Sequence, residues 1–268
     1  MENQRTIKRE ISIKGRGTHT GNAVTLTFKP AGPESGILFK RVDLVGAPLI
    51  RAQAALILDG KESPRQTSIG LKDVQIQTVE HLMAALAGVR IDNIVVELDN
   101  AEIPALDGSA LEFVKALKKA GIEELDAKRK AYSLKEPVWI DEGDAFISAV
   151  PAPNFRISYT LHHENSAFLK TQYCNFVLEE DIFEKEICPS RTFVFADESE
   201  QLLQSGLGKG ADYQNTLVIS DKGVIDNTLR FDDEFLRHKV LDLIGDFYLL
   251  GCPLHAHIVA VKTGHYLN

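Results

Sequence analysis

The sequence predicts an α+β fold of two related domains, 1–126 and 127–268, each with sheet and helix layers. Two observations lead there. Short runs with strand-like alternation recur in both halves of the chain. Each half also carries a histidine-bearing helical segment, then a short glycine-containing turn, then an apolar strand. At 268 residues the chain has room for one large domain or two modest ones.

In the first half, "TIKREISIKG" and "AVTLTFKP" alternate as strands around the glycine-rich "GRGTHTG", whose His19 suits either a turn or a site. A helix is expected over Thr78–Ala87, with Thr78 as N-cap and Gly88 as its stop. The apolar "IDNIVVEL" follows as a strand. The turn "PALDG" then leads into a second helix from Ser109, where Ser109 and Glu112 fit a capping box and Gly121 ends the run. The charged "IEELDAKRKAYS" shows no apolar periodicity and is expected to be a linker. Beyond it, "PVWI", "AFISAV" and "FRISYTL" read as strands, "ESEQLLQ" as a helix and "NTLVIS" as a strand turning at "DKG". A long helix through "FLRHKVLDLIGDF" stops at Gly251, and "AHIVAVK" follows as a strand.

Hydrophobic residues make up 44% and charged residues 25%, as in ordinary globular proteins. The net charge of −8 argues against nucleic-acid binding, which needs basic surface to neutralise phosphates, so no nucleic-acid partner is expected. Any anionic small molecule must be met by local cations. The 3 cysteines form no C-x-x-C pair and no disulfide framework, which fits a reducing cytosol. The start "MENQRTIKREISIKG" is not a signal peptide, and no segment reaches membrane-spanning length, so a cytoplasmic protein is expected.

The chemistry gathers at a few positions. His238, Asp242 and Asp246 recur every fourth residue, so they form one stripe on the long helix. The surrounding segment is apolar, and an unpaired carboxylate there would cost several kcal/mol, about 2–7 by polar-transfer scales and more when charged. A metal ion held by imidazole and carboxylate would compensate it, with Asp246 free to orient a neighbouring ring. Taken alone, the stripe is better explained by a buried His–Asp hydrogen bond or a salt bridge to Lys239. Glu80 and His81 begin the first-half helix, where His81 can complete a metal site and Glu80 can face a bound water. The helical metalloprotease patterns are absent, because Gln77 stands where H-x-x-E-H needs histidine. His265 follows a glycine turn after Lys262, a good place for acid–base work or simply a surface loop. Thr192 in "SRTFVF" can hydrogen-bond an oxyanion or merely favour a strand. "GLGKGADYQNT" lacks the G-K-[ST] ending of a phosphate-cradling loop.

Taken in order, "TVEH", "IPALDGSALEFV", "SRTFVF", "GLGKG", "LRFDDEFLRHKVLDLIGD" and "KTGHYLN" resemble the zinc-dependent UDP-3-O-acyl-N-acetylglucosamine deacetylases of lipid A biosynthesis, the LpxC family. The resemblance runs over nearly the whole chain. It implies a two-domain α+β fold with helices packed between the sheets and the active site at the junction. It also implies one zinc ion, or Fe2+ in the cell, held by His81, His238 and Asp242. Glu80 matches the family's general base, His265 its general acid and Asp246 the partner that orients His265. Thr192 matches the oxyanion-stabilising residue and Lys239 a cation lining the site. Lys262 falls where the nucleotide diphosphate is engaged, and Leu207 and Gly210 where the acyl chain passes.

The implied substrate is an acylated UDP-sugar, and the implied products are acetate and the free amine. Departures fall in the uridine region, where Ala145 replaces a lysine and His162 and His163 stand near an expected aromatic residue. A monomer is expected, or the front part of a fused polypeptide. A structural zinc protein and another metal-dependent amidase remain the alternative classes.

Overall fold

The structure is a computed structural model that describes residues 2–59, 65–164, 166 and 168–268. In chain order the first elements are β1 (Asn3–Ile7), β2 (Ile11–Arg16), β3 (Ala23–Pro30), β4 (Ile37–Arg41), β5 (Leu49–Arg51), β6 (Ile69–Leu71) and β7 (Val74–Ile76). Then come α1 (Glu80–Gly88), β8 (Ile94–Leu98), α2 (Leu111–Ala120) and β9 (Ile122–Lys128). They are followed by β10 (Tyr132–Ser133), β11 (Val138–Glu142), β12 (Ala145–Pro151), β13 (Phe155–Leu161) and β14 (Gln172–Val177). The last are α3 (Glu180–Ile182), β15 (Phe193–Phe195), α4 (Ala196–Gln204), β16 (Leu217–Ser220), β17 (Gly223–Ile225), α5 (Glu234–Tyr248) and β18 (Leu254–Val261). Mixed helices and sheets make this an α+β fold, as the sequence pattern predicts.

Two main sheets share one plan. The first runs β2-β3-β8-β4-β5, antiparallel except for the parallel pair β4 and β8. The second runs β11-β12-β18-β13-β14, antiparallel except for the parallel pair β13 and β18, and β10 adds to it in parallel beside β18. In each case the parallel central strand is the one that follows a major helix, α1 before β8 and α5 before β18. The alternation seen in the sequence decides which face is buried. Val24, Leu26 and Phe28 of β3 point inward, as do Leu254, Ala256, Ile258 and Ala260 of β18.

The helices α1 and α5 pack against each other, and α5 also lies on β13 and β14. Every residue of α1 is buried, as expected for a helix that is apolar nearly all round. Gly245 is what lets the two backbones meet, since a Cβ there would overlap the carbonyl oxygen of Glu80. At its start α5 is pinned by a buried ion pair. Arg191 Nε donates to Glu234 Oε1 at 2.8 Å and Arg191 Nη2 to Oε2 at 3.1 Å, a bidentate fork. Glu234 is fully buried and Arg191 nearly so.

Three local expectations are corrected. Thr78 does not cap α1: it has φ 59° and its hydroxyl donates to Gln66 Oε1 at 2.6 Å instead. That left-handed backbone is unusual for a β-branched residue. The capping box at Ser109 and Glu112 does not form, because α2 begins two residues later and Ser109 Oγ donates to Asp107 Oδ1 at 2.8 Å. The expected linker is largely strand: β9 pairs antiparallel with β1, an edge ribbon whose exposed faces tolerate charge and hide the periodicity. The expected helix ends at Gly88 and Gly121 agree with the observed bounds. Among the described residues, no helix is long and apolar enough to cross a membrane.

Two substitutions test this frame. Gly245→Ala forces α5 away from Glu80 and lowers stability by about 1–3 kcal/mol in urea unfolding, the usual cost of overpacking. Glu234→Ala leaves the Arg191 guanidinium buried without its carboxylate and costs about 3–5 kcal/mol in the same measurement.

Candidate active site

A cavity of about 710 Å³ opens over the contact between α1 and α5. Its wall includes Glu80 and His81 from the first turn of α1, and His238, Lys239 and Asp242 from α5. Thr192 enters just before β15, and Lys262 and His265 from the loop after β18. The four-residue stripe places His238, Asp242 and Asp246 on one face of α5, and all three are buried. Residues distant in sequence therefore converge because two helix starts and one strand end share a floor.

The metal-ligating atoms of His81, His238 and Asp242 lie within 4.8 Å of one another. His238 Nε2 is 3.3 Å and His81 Nε2 3.5 Å from Asp242 Oδ1, and the two rings meet edge to face at 4.9 Å. His238 Nδ1 donates to the carbonyl of Ser190 at 3.0 Å. The proton therefore sits on Nδ1, which leaves the Nε2 lone pair facing Asp242. Burial pushes the His238 ring down to about 3, so it is neutral and able to ligate.

Lys239 Nζ donates to Asp242 Oδ2 at 2.6 Å, whereas buried Oδ1 has no hydrogen-bond partner. Burial opposes the charge of Asp242, yet the Lys239 ammonium and the charged His265 ring hold it well below the usual carboxylate range. An orphaned carboxylate oxygen facing two imidazole nitrogens is the donor set of a divalent metal with one position left open. The residues present fit such an ion.

Glu80 and His265 flank this cluster. His265 Nε2 is 3.9 Å from Glu80 Oε1 and 3.8 Å from Asp242 Oδ2. Its other nitrogen, Nδ1, donates to Asp246 Oδ2 at 3.0 Å. Burial raises the Glu80 carboxyl above its ordinary value, partly countered by His265 and His81. Burial would lower His265, but the carboxylates of Asp246, Asp242 and Glu80 outweigh it and carry the ring up to about 9. The loop is held by the Tyr159 hydroxyl, which donates to the Thr263 carbonyl at 2.5 Å. Lys262, at φ 55°, sits in the left-handed region just before it.

The remaining sequence candidates divide. Thr192 lines the cavity, and its backbone N–H is fixed by the Gly108 carbonyl at 2.8 Å. Lys262 lines it too, paired with Asp144 and, at 3.2 Å, with Glu164. Leu207 and Gly210 stand outside the wall, which beside them is formed by Leu202, Leu203, Gly208 and Ala211. Gly210 has no room for a side chain, because a Cβ would overlap the Gly17 carbonyl. It joins "GLGKG" to the "GRGTHTG" turn.

Sequence reasoning misses Thr67, whose hydroxyl donates to Asp246 Oδ1 at 2.5 Å. It also misses Glu102, which accepts from the backbone of His19 and Thr20 at 2.7 Å each. Neither has a motif: each takes its meaning from tertiary contacts, of which those to His19 and to Asp246 span 83 and 179 residues. His19 proves to line the cavity.

The model of the LpxC family, described as UDP-3-O-acyl N-acetylglycosamine deacetylase, matches residues 4–268. The chain is 44% identical to the UDP-3-O-acyl-N-acetylglucosamine deacetylase of Chlamydia caviae, over 99% of this chain and 94% of that protein. It is 42% identical to the protein so named from Myxococcus xanthus, over 99% and 84%. The one from Idiomarina loihiensis is 40% identical, over 100% and 88%. With that coverage and identity, the chain belongs to the LpxC family of UDP-3-O-acyl N-acetylglycosamine deacetylases.

Proposed function

We propose that the protein hydrolyses the N-acetyl group of UDP-3-O-acyl-N-acetylglucosamine with one zinc ion. It releases acetate and UDP-3-O-acyl-glucosamine for lipid A biosynthesis in the cytoplasm. The observation that carries the reading is the orphaned Oδ1 of Asp242, aimed at two histidine nitrogens and bracketed by Glu80 and His265. The names of the relatives supply the substrate class. Residues 1–126 and 127–268 are taken as the two domains, which the matching strand order of the main sheets supports.

His81, His238 and Asp242 would hold the ion. When bound, zinc supplies Lewis-acid chemistry that makes water nucleophilic near neutral pH and polarises an acyl carbonyl. Glu80 takes a proton from the attacking water, and burial makes it a stronger base than an exposed carboxylate. Thr192 donates to the oxygen on which charge develops. His265, held through Nδ1 by Asp246, presents Nε2 to the departing glucosamine nitrogen and protonates it. Without that proton the nitrogen would leave as an amide anion. Lys239 keeps Asp242 ionised through Oδ2, so that Oδ1 remains a ligand. Lys262 exchanges Asp144 and Glu164 for the nucleotide diphosphate, a local attraction that outweighs the net acidity of the chain. The acyl chain follows the apolar wall of Leu202, Leu203 and Val218, with Leu207 and Gly210 behind it in the segment that carries Gly208 and Ala211.

Acetate release from the acylated nucleotide sugar tests the reading. Exhaustive metal removal abolishes turnover and added Zn2+ restores it; full activity in the stripped protein would contradict the reading. Glu80→Gln and His265→Ala retain stoichiometric metal and lose about 10²- to 10⁴-fold in kcat. His238→Ala and Asp242→Ala instead lose the metal, as read by elemental analysis.

A further inference from the structure

Thr67 is buried against Glu80 and Asp246, two residues before β6. All of its polar atoms face the acid–base groups or the start of the helix that carries one of them. Its N–H donates to Glu80 Oε2 at 3.0 Å, and its carbonyl accepts from the N–H of Val79 at 3.0 Å. Its hydroxyl lies 2.5 Å from Asp246 Oδ1 and 3.2 Å from His265 Nδ1.

The protons can be placed without conflict. A hydroxyl has one proton and two lone pairs, and an ionised carboxylate only accepts. Thr67 therefore donates to Asp246 Oδ1, and its lone pair faces the N–H of His265. That N–H is shared between Thr67 and Asp246 Oδ2. Asn268 Nδ2 also donates to Oδ2, at 2.8 Å. Oδ1, by contrast, is held by Thr67. Removing the hydroxyl frees one side of the carboxylate to turn, and the ring bonded to it turns as well.

We infer that Thr67 is a positioning residue that fixes the proton donor and the proton acceptor of the reaction relative to each other. Its hydroxyl sets the plane of Asp246 and thereby the direction of His265 Nε2. Its backbone N–H sets the orientation of Glu80 from the same point. One residue thus ties together two groups 3.9 Å apart on different elements. The inference rests on the deacetylation proposed above and deepens it.

The test compares wild type, Thr67→Val, Thr67→Ser, Asp246→Asn and the double variant Thr67→Val/Asp246→Asn. Steady-state acetate release from the acylated UDP-sugar is measured with metal content and thermal unfolding. Thr67→Val keeps the shape and the backbone bonds, so kcat falls by about 10- to 100-fold, the usual cost of losing such a support. KM and bound metal stay unchanged. Thr67→Ser recovers most of the rate, and the double variant is no slower than Asp246→Asn alone. Wild-type kcat in Thr67→Val, or losses that simply multiply in the double variant, would overturn the inference. Should the valine variant not fold, Thr67→Ala takes its place, with the same expected fall in kcat and the same overturning results. A metal-loaded wild type that releases no acetate overturns the parent reading as well. An active wild type with an unaffected valine variant overturns this inference alone.

Discussion

The contact of the α5 backbone with the carbonyl of Glu80, possible only because residue 245 is glycine, is the constraint on which the site depends. It sets the distance between the two helices. From α1 it brings Glu80 and His81, and from α5 it brings His238, Asp242 and Asp246. A side chain at that point would separate Glu80 and His81 from His238 and Asp242. The second sheet supports the same contact, because α5 lies on β13 and β14 while it packs against α1.

Bringing so many titratable groups into a buried space is costly, since each isolated charge loses its hydration. Pairing offsets most of that cost. Lys239 answers one oxygen of Asp242, Asp246 answers His265, and Arg191 answers Glu234. The backbone carbonyl of Ser190 fixes the tautomer of His238. Within the cluster of His81, His238 and Asp242, the other oxygen of Asp242 has no hydrogen-bond partner. A buried carboxylate oxygen facing two imidazole nitrogens is an arrangement that suits a metal ion.

Part of this is legible in the sequence for a physical reason. Helical periodicity preserves direction, so His238, Asp242 and Asp246 are readable as one stripe, and Glu80–His81 as a helix start. The strand faces of β3 and β18 are readable by the same logic. Periodicity carries no information about contacts between elements. On residues alone the stripe favours a buried His–Asp pair, and only the family resemblance joins it to His81 and His265. Thr67 and Glu102 stay invisible because a lone polar residue gains meaning from what it touches. The β9 ribbon escapes notice because an exposed edge strand needs no apolar alternation. Thr78 reads as a cap because its hydroxyl bond to Gln66 is a tertiary contact.

The central claim is that two histidine nitrogens and one carboxylate oxygen hold a metal ion with a position open to water. X-ray absorption of the zinc-loaded protein tests it most directly. The account predicts about four N/O scatterers at roughly 2.0–2.2 Å, two with imidazole outer-shell features and one exchangeable with added small anions. A sulfur scatterer near about 2.3 Å, or a shell closed by four protein ligands, would contradict it.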